Sequence, residues 1–100
     1  MPRYLVTRVN GPGWDPTRAR REQDLWDEHA EFMDGLVDDG FVVMGGPVGD
    51  GARVLLVVDA PDAAAIDLRL ADDPWEPLEM LRTASVEEWE VLLGGGAGPK

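Results

Sequence analysis

With 100 residues the chain is long enough for one domain with a modest hydrophobic core, and its 44% hydrophobic content is typical of a globular protein. Its formal net charge of −11 makes nucleic acid an unexpected partner, because an acidic surface repels phosphate backbones. The absence of cysteine excludes disulfides and thiolate chemistry, and the lack of a bilayer-length apolar run or a signal-peptide pattern predicts a cytoplasmic protein without a membrane partner.

The first half of the chain predicts a strand, a helix and a second strand. Residues 3–9 are rich in β-branched and aromatic side chains and end at a Gly- and Pro-rich loop. Residues 22–39 predict a helix that Thr17 or Asp15 could cap and that ends at Gly40. Residues 41–44 predict the second strand, which we expect to close at the Gly-Gly-Pro turn of residues 45–47.

The second half predicts a strand, a helix and a final strand. Residues 53–59 form the clearest strand of the sequence, and their continuous apolar character indicates that both faces are covered. A helix is expected from residues 60–62 to about residue 72, with Pro61 in its first turn and Pro74 beyond its end. After a short irregular or helical piece at residues 75–78, residues 81–92 predict the last strand, with room for a bulge. We expect the domain to span residues 1–93 and the Gly-rich residues 94–100 to be a flexible tail.

The order βαββαβ predicts the ferredoxin-like α+β fold, a four-stranded antiparallel sheet with both helices on one face. Because the strand at residues 53–59 is apolar on both faces, the opposite face of the sheet also needs a cover. A second copy of the chain, in a closed twofold dimer, is the simplest cover. Such a dimer would enclose a pocket either between its two sheets or beside the helix and the sheet edge.

The single histidine, His29, stands on the apolar stripe of the first predicted helix. The stripe has spacings of four, three and four residues and consists of Leu25, His29, Phe32 and Leu36, broadened by Met33 and Val37. An unpaired imidazole buried there would cost about 1–3 kcal/mol, so we expect a compensating partner. Either a backbone carbonyl satisfies a neutral core histidine, or a carboxylate sets the tautomer of a general acid or base. One histidine without cysteine makes a poor metal site, so no metal is expected.

The best candidate for that carboxylate lies in the segment Asp72-Asp73-Pro74-Trp75. Adjacent residues at a helix end point in different directions, so only one aspartate is expected to reach His29. We favour Asp73, because Pro74 holds the backbone before it extended; the alternative is that both are surface residues. Trp75 could form the wall of a site for a planar ligand, or could serve the core or a dimer interface.

Two further segments are candidates for ligand contact. Gly46 and Pro47 belong to a Gly-Gly-Pro sequence whose backbone could approach a ligand closely, although a turn after a strand explains it as well. The cluster of Arg18, Arg20 and Arg21 is typical of a solvated loop or helix start, with an anion contact near the helix N-terminus as the alternative. The sequence contains no phosphate loop, no Rossmann glycine pattern and no nucleophile elbow.

Taken in order, these motifs resemble the YCII-related (YciI-like) family over residues 3–92, through His29, Gly46-Pro47 and Asp73-Pro74-Trp75. The resemblance implies a dimeric α+β barrel of ferredoxin-like protomers with a His–Asp pair in a cleft, which maps onto His29 and Asp73. Most members have no assigned reaction. One similar enzyme dehydrochlorinates a chlorinated hydroxyquinone, and the wider superfamily includes muconolactone isomerases and cofactor-free monooxygenases. The loop of residues 11–21 and the Gly-rich tail depart from many relatives.

The sequence therefore predicts a small enzyme without a cofactor, in which His29, oriented by Asp73, moves a proton to or from a carbonyl, lactone or phenolic substrate, as a lyase or isomerase does. The alternatives are a non-catalytic dimeric module that binds a metabolite in the same pocket, and a purely structural role for the pair. An enzyme needs one imidazole nitrogen accessible from a cavity, whereas a structural role predicts that protein groups satisfy both nitrogens.

Overall fold

The computed structural model describes residues 1–95, with four strands and two helices in the order βαββαβ. A short 3-10 turn precedes the first helix. The strands are β1 (Arg3–Asn10), β2 (Val42–Val48), β3 (Arg53–Asp59) and β4 (Leu81–Glu88), and the helices are α1 (Trp26–Asp38) and α2 (Ala63–Leu70). Every strand pair is antiparallel and the sheet order is β2-β3-β1-β4. The ferredoxin-like α+β fold predicted from the sequence is thus confirmed.

One face of the sheet packs against both helices and forms the main core. Alternate residues of a strand share a face, and in β1 and β3 these inward residues are the buried ones. The helices contribute Leu36 from α1 and Ile66 and Leu70 from α2. The complete cluster consists of Tyr4, Val6, Leu36, Phe41, Val42, Leu56, Val58, Ala60, Ile66 and Leu70.

The opposite face of the sheet is apolar at its centre but only half-buried within one chain. Leu5 of β1 lies opposite Val57 of β3, and Leu55 lies opposite Thr7. All four side chains are half-buried, and Met44 of the edge strand, which pairs with Val57, is 64% exposed. Within one chain the helices therefore cover one face of the sheet, and the other face keeps apolar surface in contact with water.

The start of α1 differs from the sequence-based expectation. The helix begins at Trp26, after Leu25 has adopted a left-handed backbone conformation with a φ of 59°. Leu25 consequently lies outside the helix and is 44% exposed, so the apolar stripe starts at His29. Asp15 does not cap the helix; its carboxylate accepts hydrogen bonds from the backbone N–H and the hydroxyl of Thr17, which closes a local turn in the loop.

The predicted end of the second strand was also wrong. β2 continues through the Gly-Gly-Pro sequence to Val48, and the chain turns instead at Gly49 and Gly51, whose φ angles are 59° and 88°. Pro47 is tolerated within the strand because β2 lies at the edge of the sheet, where one row of backbone groups needs no partner. The last strand ends at Glu88 rather than residue 92, and its pairing with β1 contains the bulge that the sequence left room for.

The second helix is shorter than predicted at both ends. Asp62 caps α2 by accepting a hydrogen bond from the backbone N–H of Ala65, so Pro61 lies before the cap instead of inside the first turn. Within the described residues, neither helix has the length and apolar character that crossing a membrane requires. Of the expected tail, Gly95 accepts a hydrogen bond from Arg3, and residues 96–100 lie outside the described residues.

The central position of Ile66 gives a test of this packing. Ile66 is fully buried in the core, whereas Leu68 on the same helix is 73% exposed. We expect Ile66→Ala to lower the free energy of unfolding by about 2–5 kcal/mol, because it leaves a cavity between α2 and the sheet. Leu68→Ala is the matched control and should change it by less than about 0.5 kcal/mol. Urea denaturation measures both, and equal effects of the two substitutions would contradict the arrangement of the core.

Candidate active site

His29 lies in the first turn of α1 with its side chain directed inward, and it is only 8% exposed. The rest of the stripe, one and two turns later, is formed by Phe32 and Leu36, which pack into the core. Helix α1 therefore sets the position of the histidine, and its ring packs against Trp26 of the same helix and Trp75 of the segment after α2. A polar ring in this position requires a hydrogen-bond partner.

The structure brings Asp73 to that ring. The two carboxylate oxygens of Asp73 lie 2.7 and 2.9 Å from Nδ1 of His29, and Asp73 is 2% exposed. The backbone N–H of Trp75 donates a second hydrogen bond, of 2.9 Å, to the same carboxylate. Asp72, one residue earlier, is exposed on the surface. Of the two aspartates that the sequence offered, Asp73 is the one that reaches the histidine.

This geometry assigns different roles to the two ring nitrogens. A carboxylate in its ionised form can only accept hydrogen bonds, so it pairs with the tautomer of His29 that has its hydrogen on Nδ1, and Nδ1–H donates a hydrogen bond to Asp73. In the neutral ring Nε2 is then the unprotonated nitrogen, which is the atom able to take up a proton. Among residues 1–95 Asp73 is the hydrogen-bonding partner of the ring, and it contacts Nδ1 alone. Within these residues Nε2 has no hydrogen-bond partner.

Trp75 fixes the plane of the imidazole. Its indole stacks on the His29 ring with a centroid distance of 3.8 Å and an angle of 8° between the planes. The indole N–H donates a hydrogen bond to the backbone carbonyl of Asp24. Trp14 packs edge-on against the same indole, with 5.9 Å between the ring centroids. Trp75 is 2% exposed and belongs to a small buried cluster with Met80 and Leu81. Trp26, which packs against this cluster, is the tryptophan that lines the cavity described below.

A cavity of about 410 Å³ lies between α1 and the helix-facing side of the sheet, and His29 is part of its lining. This volume is in the range of pockets for small organic ligands. Gly46 and Pro47 of β2, which the sequence offered as candidates for ligand contact, are part of its lining, and the cavity lies beside the helix. The full lining consists of Arg8, Arg20, Arg21, Trp26, His29, Ala30, Met33, Asp34, Val37, Val42, Gly45, Gly46, Pro47, Val54, Leu56 and Leu81.

The arginine cluster of the loop divides in two. Arg18 forms an exposed ion pair with Asp24, with 3.0 Å between Nη1 and Oδ1. Arg20 and Arg21 line the cavity. The guanidinium of Arg20 also donates to the carbonyl of Gly51 and lies 4.9 Å from the ring centroid of Trp14. Burial lowers the pKa of Arg20 from its ordinary value, although a guanidinium remains protonated at neutral pH.

Arg8 is the site residue that sequence reasoning missed. It lines the cavity from β1 and is 3% exposed. The signal was present in the alternation of the strand, because Arg8 follows Tyr4 and Val6 on the inward face. No group of three His, Cys, Asp or Glu side chains placed to hold a metal occurs in the part of the chain that the structure describes.

Comparison with known proteins gives a relationship in structure. No family model matches the sequence, and no curated protein shows significant similarity to it. Among solved structures the chain is similar to 5-chloro-2-hydroxyhydroquinone dehydrochlorinase (TftG) from Burkholderia phenoliruptrix AC1100, in complex with 2,5-dihydroxybenzoquinone. The TM-score is 0.55 and the identity 18%, over 96% of this chain and 99% of the other. This likeness establishes a shared fold.

The contact between His29 and Asp73 can be tested through the tautomer of the histidine. In Asp73→Ala no carboxylate holds the proton on Nδ1, so we expect the ¹⁵N resonances of the ring to show a loss of the Nδ1–H form. Asp72→Ala, which removes the exposed neighbour, is the matched control and should leave the ring resonances unchanged. His29 is the only histidine of the chain, so these signals need no further assignment. An unchanged ring spectrum in Asp73→Ala would contradict the pairing.

Proposed function

We propose that the protein is an enzyme without a cofactor, and that it transfers a proton within a small carbonyl, lactone or phenolic substrate. The observation that carries this proposal is the environment of the His29 ring: a buried carboxylate binds Nδ1, and the ring also borders a cavity. A purely structural histidine would have protein partners at both nitrogens. The arrangement instead matches that of an oriented general base.

In the proposed reaction Nε2 of neutral His29 takes a proton from a carbon next to a carbonyl, or from a phenolic hydroxyl. The electron pair of the broken bond moves into the substrate as an enolate or phenolate. The Asp73 carboxylate stabilises the imidazolium that forms, without itself taking the proton. The proton then returns to a different substrate atom in an isomerisation, or the electron pair expels a leaving group in an elimination. Positioned acid–base catalysis of this kind contributes about 10²–10⁴-fold to a rate.

Two further observations support the substrate class. The motifs around His29, Gly46-Pro47 and Asp73 resemble those of the YCII-related family, and we propose that the chain is a member. The dehydrochlorinase that shares its fold is named for a chlorinated hydroxyhydroquinone and was solved with a dihydroxybenzoquinone, which are small phenolic and carbonyl compounds. A cytoplasmic location and the absence of a nucleic-acid partner remain predictions of the sequence.

Hydrogen exchange in D₂O tests the proposal without knowledge of the physiological substrate. The wild-type protein should catalyse deuterium incorporation next to the carbonyl or hydroxyl in at least one member of a panel of small ketones, unsaturated lactones and dihydroxybenzenes, followed by ¹H NMR. His29→Asn should lower that rate by about 10²–10⁴-fold, because the amide N–H can replace Nδ1–H toward Asp73 while nothing replaces Nε2.

Glu28→Gln is the matched control, because Glu28 is the exposed neighbour of His29 and should leave the exchange rate unchanged. Equal exchange by the wild type and His29→Asn would exclude His29 as the base. Binding of panel compounds with no exchange in any of them would favour the non-catalytic binding module.

We also propose that two chains pair through the open face of their sheets. The centre of this face is formed by Leu5, Leu55 and Val57, which are half-buried in one chain, next to the exposed Met44. Contact with a second copy would remove this apolar surface from water, and a twofold dimer is the commonest closed arrangement. Since the cavity lies on the helix side of the sheet, pairing through the other face leaves it accessible.

Light scattering tests this pairing. We expect the wild type to have twice the chain mass of 10.9 kDa in solution. Leu55→Asp should give a monomer, because it places a charge at the centre of the proposed interface. Leu68→Asp introduces the same charge at an exposed position of α2 and should remain dimeric. A monomeric wild type, or a Leu55→Asp variant that stays dimeric, would contradict this interface.

A further inference from the structure

The charges that line the His29 cavity are opposite in sign to the charge of the whole chain. The protein has a formal net charge of −11, yet three arginines line the cavity and one carboxylate, that of Asp34, does so. The arginines come from different elements, since Arg8 belongs to β1 while Arg20 and Arg21 precede α1. A cationic cavity in an acidic protein raises the local concentration of anions and disfavours cations.

Arg8 is the most unusual member of this set. Only 3% of it is exposed, and its Nε has no hydrogen-bond partner among the described residues. Its ionic partner is Glu76, with 3.5 Å between Nη2 and Oε2, and the Glu76 side chain is 45% exposed. A guanidinium has five N–H donors, so this single long contact leaves most of its capacity unused. Buried cations normally obtain fuller compensation than this.

The position of Arg8 also relates it to the proposed chemistry. Arg8 and His29 line the same cavity from opposite sides, one on the sheet and the other on α1. The space between them is bordered by Met33, Val54 and Leu56, which present apolar surface. A ligand that satisfies these groups has an apolar body and an anionic oxygen group. The planar guanidinium is suited to a carboxylate or phenolate, whose oxygens can accept two parallel hydrogen bonds or one charged bond.

We propose that the His29 cavity binds a small unsaturated ring that carries a carboxylate or phenolate, and that Arg8 binds this anionic group. Arg20 and Arg21 attract the anion to the cavity, and Arg8 sets its orientation relative to Nε2 of His29. This proposal rests on the cavity of the proposed function and deepens it by naming the charge of the substrate. It does not require that His29 be catalytic.

Calorimetric titration with matched charged and neutral probes tests the inference on the wild-type protein. Benzoate and benzamide have almost the same shape, as do 4-hydroxybenzoate and 4-hydroxybenzamide, and the members of each pair differ in the carboxylate. We expect the anion of at least one pair to bind ten times more tightly or better. The ¹H and ¹⁵N signals of the His29 ring should shift with the titration, which places the ligand in this cavity.

Substitution of Arg8 then assigns the preference to its guanidinium. Arg8→Met should abolish the preference for the anion and leave the weak binding of the neutral probe unchanged. Arg8→Lys, which keeps the charge without the planar fork, should retain part of the preference and covers the case in which Arg8→Met fails to fold. Arg82→Met is the matched control, because Arg82 lines a separate cavity that contains Glu76 and is also bordered by Arg8. It should bind as the wild type does.

Several results would overturn the inference. One is equal or undetectable binding of the two members of every probe pair. Another is a preference for the anion that survives in Arg8→Met. The last is anion binding that leaves the NMR signals of the His29 ring unchanged. The last result would place the anion outside the His29 cavity. His29→Asn separates this inference from the proposed function, since it should lose hydrogen exchange and keep the anion preference. Exchange that persists in His29→Asn, with the anion preference intact, would count against His29 as the base and not against Arg8.

Discussion

A carboxylate in the interior of a protein needs hydrogen-bond donors, and much of the site follows from how Asp73 obtains them. One donor is the ring of His29 on α1, and the other is the backbone N–H of Trp75. The three-residue segment Asp73-Pro74-Trp75 thus supplies the buried acceptor, a donor that holds it, and an indole that stacks on its partner. The connection between α2 and β4 is thereby attached to the start of α1, which lies 44 positions earlier in the chain.

The consequence for the imidazole is that its position is determined from three directions. The helix sets its distance from the core, Asp73 sets its tautomer, and the stacked indole sets its plane. In the proposed reaction, groups whose rotation is restricted in this way would need little reorganisation when a substrate binds. The arrangement is also economical in sequence, because one short segment, Asp73-Pro74-Trp75, provides two of the three constraints.

The fold could be predicted from the sequence because its local signals agree with one another. The spacing of apolar residues and the turn residues gave the βαββαβ order, and β3 agreed with its predicted range. The start of α1 could not be predicted, because Leu25 continues the apolar stripe but the chain enters the helix through a left-handed residue that only tertiary packing can select. β2 was predicted too short because Gly-Gly-Pro usually marks a turn, and edge-strand position, which permits proline, is a property of the whole sheet.

The residues of the candidate site could likewise be predicted only in part. His29 and Asp73 could be paired from the sequence because a buried polar group needs a partner and Pro74 holds the backbone at Asp73 extended. Arg8 escaped notice because arginine in a strand is normally taken as an outward residue. Its inward direction follows only from the register that it shares with Tyr4 and Val6. The place of Trp75 behind the histidine, rather than beside a ligand, depends on side-chain directions in an irregular loop, which no periodicity describes.

Gly45 has a consequence for how proteins of this design could diverge. A Cβ atom at this position would lie 2.5 Å from the side chain of Leu56 and 3.0 Å from the carbonyl oxygen of Leu55, so a larger residue at Gly45 would have to displace its neighbours. The opposite wall consists of α1 side chains such as Met33 and Val37, which can change length while the sheet stays in place. Differences in ligand size between such proteins should therefore arise from substitutions in the helix, while Gly45 of the strand stays unchanged.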